Sequence, residues 1–579
     1  AGKRYEEARA YYQETLTAQP ANLVARSRLA AMLLELRRYH EAEAALEEGL
    51  RLAPEMAALH HGMARLHAAR GAVEQALAAF DRALTLDPQQ PRYLLDKARL
   101  LYEQQQPQAA IVTLERALTL DARCGEAHRQ LGQIYETLQQ DDLALVAYRQ
   151  AATCAPDDAA LKFEHARLCL KLGDVETAIA ELQKTAELRP DWAEARYRLG
   201  EAYARRRDWN AAREAFENAI ELEPANATYH AAAGASYRQL GRLKAALSAF
   251  QTASRIDPEN VDYQQQLGAL YRELGRLDEA LATLQAARER SPKTAGLYVE
   301  LGRAFTAKGL LPEALRQFTQ AAELEPNEPT HYQDLGLLFQ RLGQVERALD
   351  MLKTAITLAP ENAAAHAALG QLYHERGEHA LAAAEFEQAV THAPDAAPYW
   401  QHLARALCRL QRYDAALAAA QKAVALAPQA AEAQAQLGDL YLELQRPQDA
   451  LDAFRQAAAL EPGNSAYPCK AAQSLYALGQ YPAALEALHE AIRRNPGDAE
   501  AYHWLGVVSA QQGDVEKALA AYETAIRLEP EAAASYRQLG LLHRQRGEDA
   551  QARDALERAL TLDPYDAEAQ YILGQLHEE

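Results

Sequence analysis

Two short apolar faces alternate along the chain. In one representative stretch, Leu267, Gly268 and Tyr271 fall at i, i+1 and i+4, on one face of a helix. Ala280, Leu284 and Ala287 follow at i, i+4 and i+7, on one face of a second helix. Gly275 lies between them, where a left-handed residue can end a helix, and Pro292 stops the second helix. The pattern predicts a helix hairpin, with a first helix of about 13 residues and a second of about 14.

The hairpin recurs every 34 residues, and no insertion or deletion interrupts the register. Stepping by 34 from Pro20 to Pro564 lands on proline everywhere except Ala122. From Ala8 to Ala552 every step is alanine, and from Ala30 every step is glycine or alanine. A large residue recurs from Tyr12 through Leu46, Phe80, Leu114 and Tyr148 onward, and only Ala420 breaks that column. Small residues let helices approach closely while the large one fills the space beside them. Ala212, Ala246 and Ala280 are therefore expected to be fully buried. One hairpin cannot cover its own apolar face, so each must stack on the next.

These residues resemble the tetratricopeptide repeat family. The small residue and aromatic of the first helix, the alanines of the second and the closing proline stand at the family's spacing, and Val261 to Pro292 is close to a consensus unit. The resemblance covers essentially the whole chain. It implies an all-α fold: a right-handed superhelical α-solenoid of antiparallel hairpins, winding about two superhelical turns, with first helices lining a concave groove. In register, residues 1–22 form a lone second helix, 23–566 sixteen full repeats and 567–579 a lone first helix, all in one continuous array. Departures are local. Pro468 falls in the first turn of a first helix and predicts a late start. Lys97, His165, Ala233 and Ala471 replace the leucine of the first-helix core, making the units around 91–125, 159–192 and 465–498 softer. Pro107, Pro312, Pro447 and Pro482 open second helices, where proline is tolerated.

Composition narrows the function. Of 579 residues, 49% are apolar, which supports a packed array, and the net charge of -20 argues against general binding to phosphate backbones. No apolar run reaches the ~18 residues of a membrane span. No signal peptide is visible and Ala1 is not methionine, which reads as a trimmed or processed chain. Arginine outnumbers lysine about four to one, a composition of GC-rich bacterial genomes. Cys124, Cys154, Cys169, Cys408 and Cys469 form no CxxC pair and read as free thiols, not a disulfide framework or a zinc site.

Motifs for chemistry are missing. No GxxxxGK[ST] or helix-opening GxGxxG occurs. His374, Glu375 and His379 nearly spell HExxH, but the histidines are five apart and Gly377 is a turn glycine, so one helix face cannot carry both. His60 and His67 share a first helix, and His67 stands in a packing column. Asp141–Asp142 and Asp157–Asp158 lie in turns, where acids cap helices. Tyr203, Tyr237, Tyr271, Tyr373 and Tyr441 belong to one core column and read as packing, not as a stacking platform. The chain therefore reads as a non-enzyme with no cofactor and no metal.

The family's ligands usually contact three first-helix columns, which here run through Gln265, Ala269 and Arg272. Over all units these columns hold ten arginines: Arg65, Arg99, Arg129, Arg167, Arg238, Arg272, Arg303, Arg405, Arg537 and Arg544. They hold four acids, Glu136, Glu201, Asp439 and Glu578, leaving an excess of six positive charges in an acidic chain. That sign difference points to an acidic protein or peptide partner. The asparagines of the family's carboxylate clamp and of its sugar-transferring relatives are missing from the columns through Ala269 and Gln266 where the family has them.

Three functions fit: a scaffold holding a partner segment in the groove, a structural polymer stacking on copies of itself, and a recruiting or sensing arm of a larger enzyme. For the polymer, Tyr5 and Tyr12 of the opening helix and Ile572 and Leu573 of the closing helix are expected to be partly uncovered. The closing helix of one copy would then complete the opening helix of another in a contact that does not close. The plain alternative is a piece cut from a longer array.

Overall fold

The computed structural model describes residues Gly2–Glu578. Ala1 and Glu579, which share a repeat position, lie outside the described residues, as does the side chain of Glu578. Among the described residues there are 34 α-helices and no strand. Helix Gly2–Ala18 is followed by sixteen hairpins, from Leu23–Glu35 with Tyr39–Leu52 to Ala533–Gln545 with Asp549–Leu562, and then by Ala567–Glu578. First helices are typically 13 residues long and second helices 14. Helix Ala466–Ala477 has only 12, because Ser465 stays outside it ahead of Pro468. The chain divides into two compact units, Ala1–Ala287 and Arg288–Glu579, and each is described by itself.

Within each unit the hairpins are held by one recurring contact. The large residue of the second helix lies against the glycine of the first: Phe216 on Gly200, Phe250 on Gly234, Phe318 on Gly302, Phe454 on Gly438. A Cβ on any of these glycines would lie 2.5–2.8 Å from the ring, closer than carbon atoms pack. The alanine columns sit beside this contact, and Ala212, Ala246 and Ala280 are fully buried.

Every hairpin turn has a left-handed residue at the same place. Ten are glycine, such as Gly241 (φ 70°) and Gly275 (φ 74°), and six are not: Arg37, Gln105, Gln139, Arg207, Gln411 and Gln445. The following N–H reaches back to close the turn, as in Gln140 to the Tyr135 carbonyl at 2.9 Å.

A second device joins many of the inter-repeat loops to the helix after them. A side chain in the first turn of that helix donates to the proline carbonyl six residues before it. Arg26 reaches Pro20 at 2.6 Å, His60 Pro54 at 2.7 Å, Tyr298 Pro292 at 2.9 Å, Trp400 Pro394 at 2.8 Å and Gln570 Pro564 at 2.7 Å. His128 makes the same bond at 3.2 Å to Ala122, the one position in the column without proline.

Several members of the tyrosine column are held by the hydroxyl as well as the ring. Gln183 donates to Tyr203 at 2.7 Å and Gln251 to Tyr271 at 2.9 Å, each from the preceding second helix. Phenylalanine would leave those amides without this acceptor.

The irregular core positions fare differently from one another. Lys97 leaves the core to pair with Asp81 at 2.5 Å, beside an open depression of about 510 Å³ lined by Leu77, Leu101 and Val112. Ala471 leaves a similar depression of about 600 Å³ between its neighbours. His165 stays inside, 3% exposed, and neither ring nitrogen has a hydrogen-bond partner. Burial holds its imidazole below the ordinary value of 6.5.

Two outcomes follow. Because His165 protonates less readily folded than unfolded, its neutral form supports the fold above about pH 6.5, and that support is lost as pH falls below it. His165→Leu should remove this acid sensitivity and stabilise helices Ala159–Leu172 and Val175–Leu188 by about 1–3 kcal/mol, measured by local hydrogen exchange at two pH values. Gln139→Gly should relieve the left-handed strain and raise stability by about 0.5–1 kcal/mol in a urea titration. A lower midpoint would show that the turn is unstrained.

Candidate functional site

Successive first helices touch one another in each unit, as Ala57–Ala69 does Pro91–Glu103 and Ala363–Glu375 does Ala397–Arg409, whereas successive second helices stay farther apart. In each unit the first helices therefore line one side, and their outward columns form a wall along it. Side chains at this wall reach from one helix to the next.

In the first unit, Arg65 donates to Glu35 of the preceding first helix at 2.7 Å and lies 3.9 Å from Asp96 of the following one. Asp96 also accepts from His61 at 2.8 Å and pairs with Arg99. Burial alone would raise the Asp96 carboxyl, but the His61 hydrogen bond and the adjacent cations hold it below its usual range. Arg129 pairs with Glu126 at 2.6 Å. Arg167 forks onto Glu136 with bonds of 2.8 and 2.6 Å and also meets Glu164 at 3.1 Å. Arg238 pairs with Glu273 and donates to Gln266 at 3.0 Å. Gln265 and Arg272 stand half-buried beside them on helix Val261–Glu273.

In the second unit, Arg303 bridges Glu300 at 2.9 Å and Asp334 of the next first helix at 3.0 Å. Here burial wins, and the Asp334 carboxyl is pushed above its usual range despite Arg303. Arg405 is 3.7 Å from Glu432, and Arg537 is 3.1 Å from Asp566 and 3.4 Å from Glu568. Arg544 takes Gln575 at 2.7 Å.

The count of six excess positive charges is thus incomplete. Glu35, Asp96, Glu126, Glu164, Glu273, Glu300, Asp334 and Glu432 stand in neighbouring columns of the same wall and are already against the arginines. The wall is a lattice of paired charges, not a positive stripe. One open polar part of it is a depression of about 670 Å³ lined by Tyr102, Gln133, Glu136, Thr137, Tyr148, Glu164 and Arg167. There Tyr102 and Thr137 share a hydroxyl hydrogen bond of 2.5 Å between successive first helices.

The predicted arginines fall into local groups. Arg65 and Arg99 meet around Asp96, Arg167 lines the depression while Arg129 stays on Glu126 of its own helix, and Arg238 approaches the helix of Gln265 and Arg272. Arg303 and Arg405 stand apart, three repeats from each other. At the other proposed contact, Tyr5 is half-buried, and Tyr12 packs against the cluster of Leu29 and Leu46. Ile572 is not uncovered: it is 6% exposed, seated with Leu573 against Ala552 and Leu556. The open rings nearby are Tyr565 and Tyr571 instead.

The rings of His374 and His379 approach to 4.9 Å across the hairpin turn, from two different helices. Among the described residues no three His, Cys, Asp or Glu side chains gather as a metal group, and no helix is long and apolar enough to cross a membrane.

Models described as tetratricopeptide repeat match residues 1–66, 33–100 and 237–298, residues 95–159 and 334–398, and residues 193–226, and one described as TPR repeat matches 166–207. The chain belongs to the tetratricopeptide repeat family. Its matched repeats lie in both compact units. Residues 409–579 also match the model of the cilia and flagella-associated protein 70 C-terminal domain. Comparison with curated proteins finds no match. Among solved structures, this repeat array is similar to a chain of the APC/C hetero-tetramer Cut9–Hcn1, at 15% identity over 78% of this chain and 96% of that one, with a TM-score of 0.39. It is also similar to a chain of Naa15/Naa10 bound to HypK-THB, at 14% identity over 90% of this chain and 96% of that one, with a TM-score of 0.36.

If the wall pairs couple successive repeats, a double-mutant cycle of Arg167→Met and Glu136→Gln should give a coupling of about 1 kcal/mol in the first unit, shrinking at high salt. Additive effects of the two changes would show that the fork contributes nothing.

Proposed function

We propose that this tetratricopeptide repeat chain is a non-catalytic scaffold that holds a segment of a partner protein along the first-helix wall. The observation that carries the reading is the varied chemistry of a regular wall. The packing columns repeat with little change, while the three wall columns hold His61, Phe163, Tyr197, Val299, Cys408, Asp439 and arginines in no regular order. A wall that varies along its length presents a different set of contacts at each repeat, which is what reading a sequence requires. Because most of the wall arginines already have carboxylate partners, an acidic segment must displace those partners to bind along most of the wall. Recognition then rests on shape and hydrogen bonding more than on net charge.

The test uses the whole chain and twelve-residue peptides selected against it by display. A photo-cross-linking residue placed at Gln133 on the wall should capture the selected peptides, and one at exposed Lys184 on a second helix should not. Affinity should change only weakly with salt. Capture from Lys184 alone would overturn the reading.

A further inference from the structure

Fifteen hairpins carry a large second-helix residue in the column of Leu284, and one carries Ala420. In the hairpins on either side the contact is filled. Phe386 lies on Gly370 and Phe454 on Gly438, and a Cβ on those glycines would come within 2.9 and 2.7 Å of the rings. In the exceptional hairpin Ala420 faces Ala404, both buried, and no side chain has moved in to replace the missing one. A cavity of about 240 Å³ remains, with Ala404, Ala420, Leu440 and Cys408 at its floor and Arg405, Arg409, Gln436, Asp439 and Glu443 around its mouth. Drug-sized ligands occupy about 300–1,000 Å³, so this space suits a single side chain.

The charges at the mouth are unequal in their freedom. Asp439 is held by Lys470 at 2.6 Å, and Glu443 accepts from the Cys408 thiol at 2.7 Å. Burial, and then that carboxylate, pushes the Cys408 thiol up to about 12, so it stays a neutral donor. On the other side Arg405 and Arg409 are both exposed. Arg405 reaches Glu432 only at 3.7 Å, and among the described residues Arg409 has no carboxylate at ion-pair distance. An apolar floor beneath two available guanidiniums is complementary to a large apolar side chain next to a carboxylate.

We propose that this cavity is a socket on the first-helix wall for one aromatic or leucine side chain of a partner segment, whose adjacent carboxylate seats on Arg405 and Arg409. The proposal rests on the scaffold reading for its partner, but the socket is tested without one. The probe is 3-phenylpropionate, with 3-phenylpropionamide as the uncharged control and propionate as the ringless one, followed by saturation-transfer NMR and calorimetry on the whole chain. Phenylpropionate should bind at millimolar concentration, the amide about tenfold more weakly, and propionate not measurably. Arg409→Gln should bring the acid down toward the amide. Ala420→Phe should abolish binding while raising the melting temperature, and Ala420→Leu gives a smaller filling should the ring disturb the hairpin, with circular dichroism confirming helicity. Equal binding of acid and amide, or binding that survives both fillings, overturns the socket. If display peptides still cross-link at Gln133 in that event, the scaffold reading stands alone. If the socket binds its probe and no peptide reaches the wall, the scaffold reading fails and the socket stands as a small-acid site.

Discussion

The close seat of a large second-helix side chain on a first-helix glycine sets the geometry of the hairpin. Without a Cβ at Gly200 or Gly302, the rings of Phe216 and Phe318 lie directly against the backbone of the facing helix. That approach decides how far apart the helices run, and so which alanines beside them can be buried completely. It also makes the small and the large column depend on each other. Where the first-helix residue is alanine, as at Ala30, Ala98 and Ala166, the partner is leucine, whose branched end tolerates the extra methyl group. The pairing of Ala64 with Phe80 shows that the rule has some tolerance, and the pairing of Ala404 with Ala420 shows what happens when neither side supplies volume.

Around this seat the repeats are joined by polar contacts that share geometry more than residue type. The loop carbonyls are taken by arginine, histidine, tyrosine, tryptophan or glutamine, and the wall is crossed by ion pairs whose members come from different columns in different repeats. Each such contact is weak in water, where surface pairs give about 0–1 kcal/mol. Stability in a stacked array is nearly a sum over neighbours, so the apolar seats dominate it and the polar contacts set the spacing between first helices.

The fold was legible in the sequence to an unusual degree, because its packing columns conserve residue size from repeat to repeat. The proline, alanine, small and large columns located every hairpin and its helix lengths, and even the shortened helix at Pro468 follows from one residue. The wall was legible only in part. Counting charge in three columns found Arg65, Arg167 and Arg303 but passed over Glu35, Glu164 and Asp334, because a long guanidinium reaches across to neighbouring columns and neighbouring repeats. The carbonyl donors were hidden for a related reason: arginine, histidine, tyrosine and tryptophan look unrelated in a sequence, and only the bond they make shows them to be one column. Ala420 was visible as an exception, but whether a missing side chain leaves a void or draws its neighbours inward depends on packing that periodicity does not report.

The loop contacts have a consequence for the histidine rings that make them. A carbonyl oxygen can only accept, so in His60, His230 and His366 the Nε2 atom carries the hydrogen whatever the charge of the ring. In His366 this leaves Nδ1 facing Glu385 at 2.7 Å, so that ring ties the loop before it to the second helix of its own hairpin. These joints therefore select one tautomer of each histidine that makes them, and the loop carbonyl decides which ring nitrogen is left to meet the rest of the repeat.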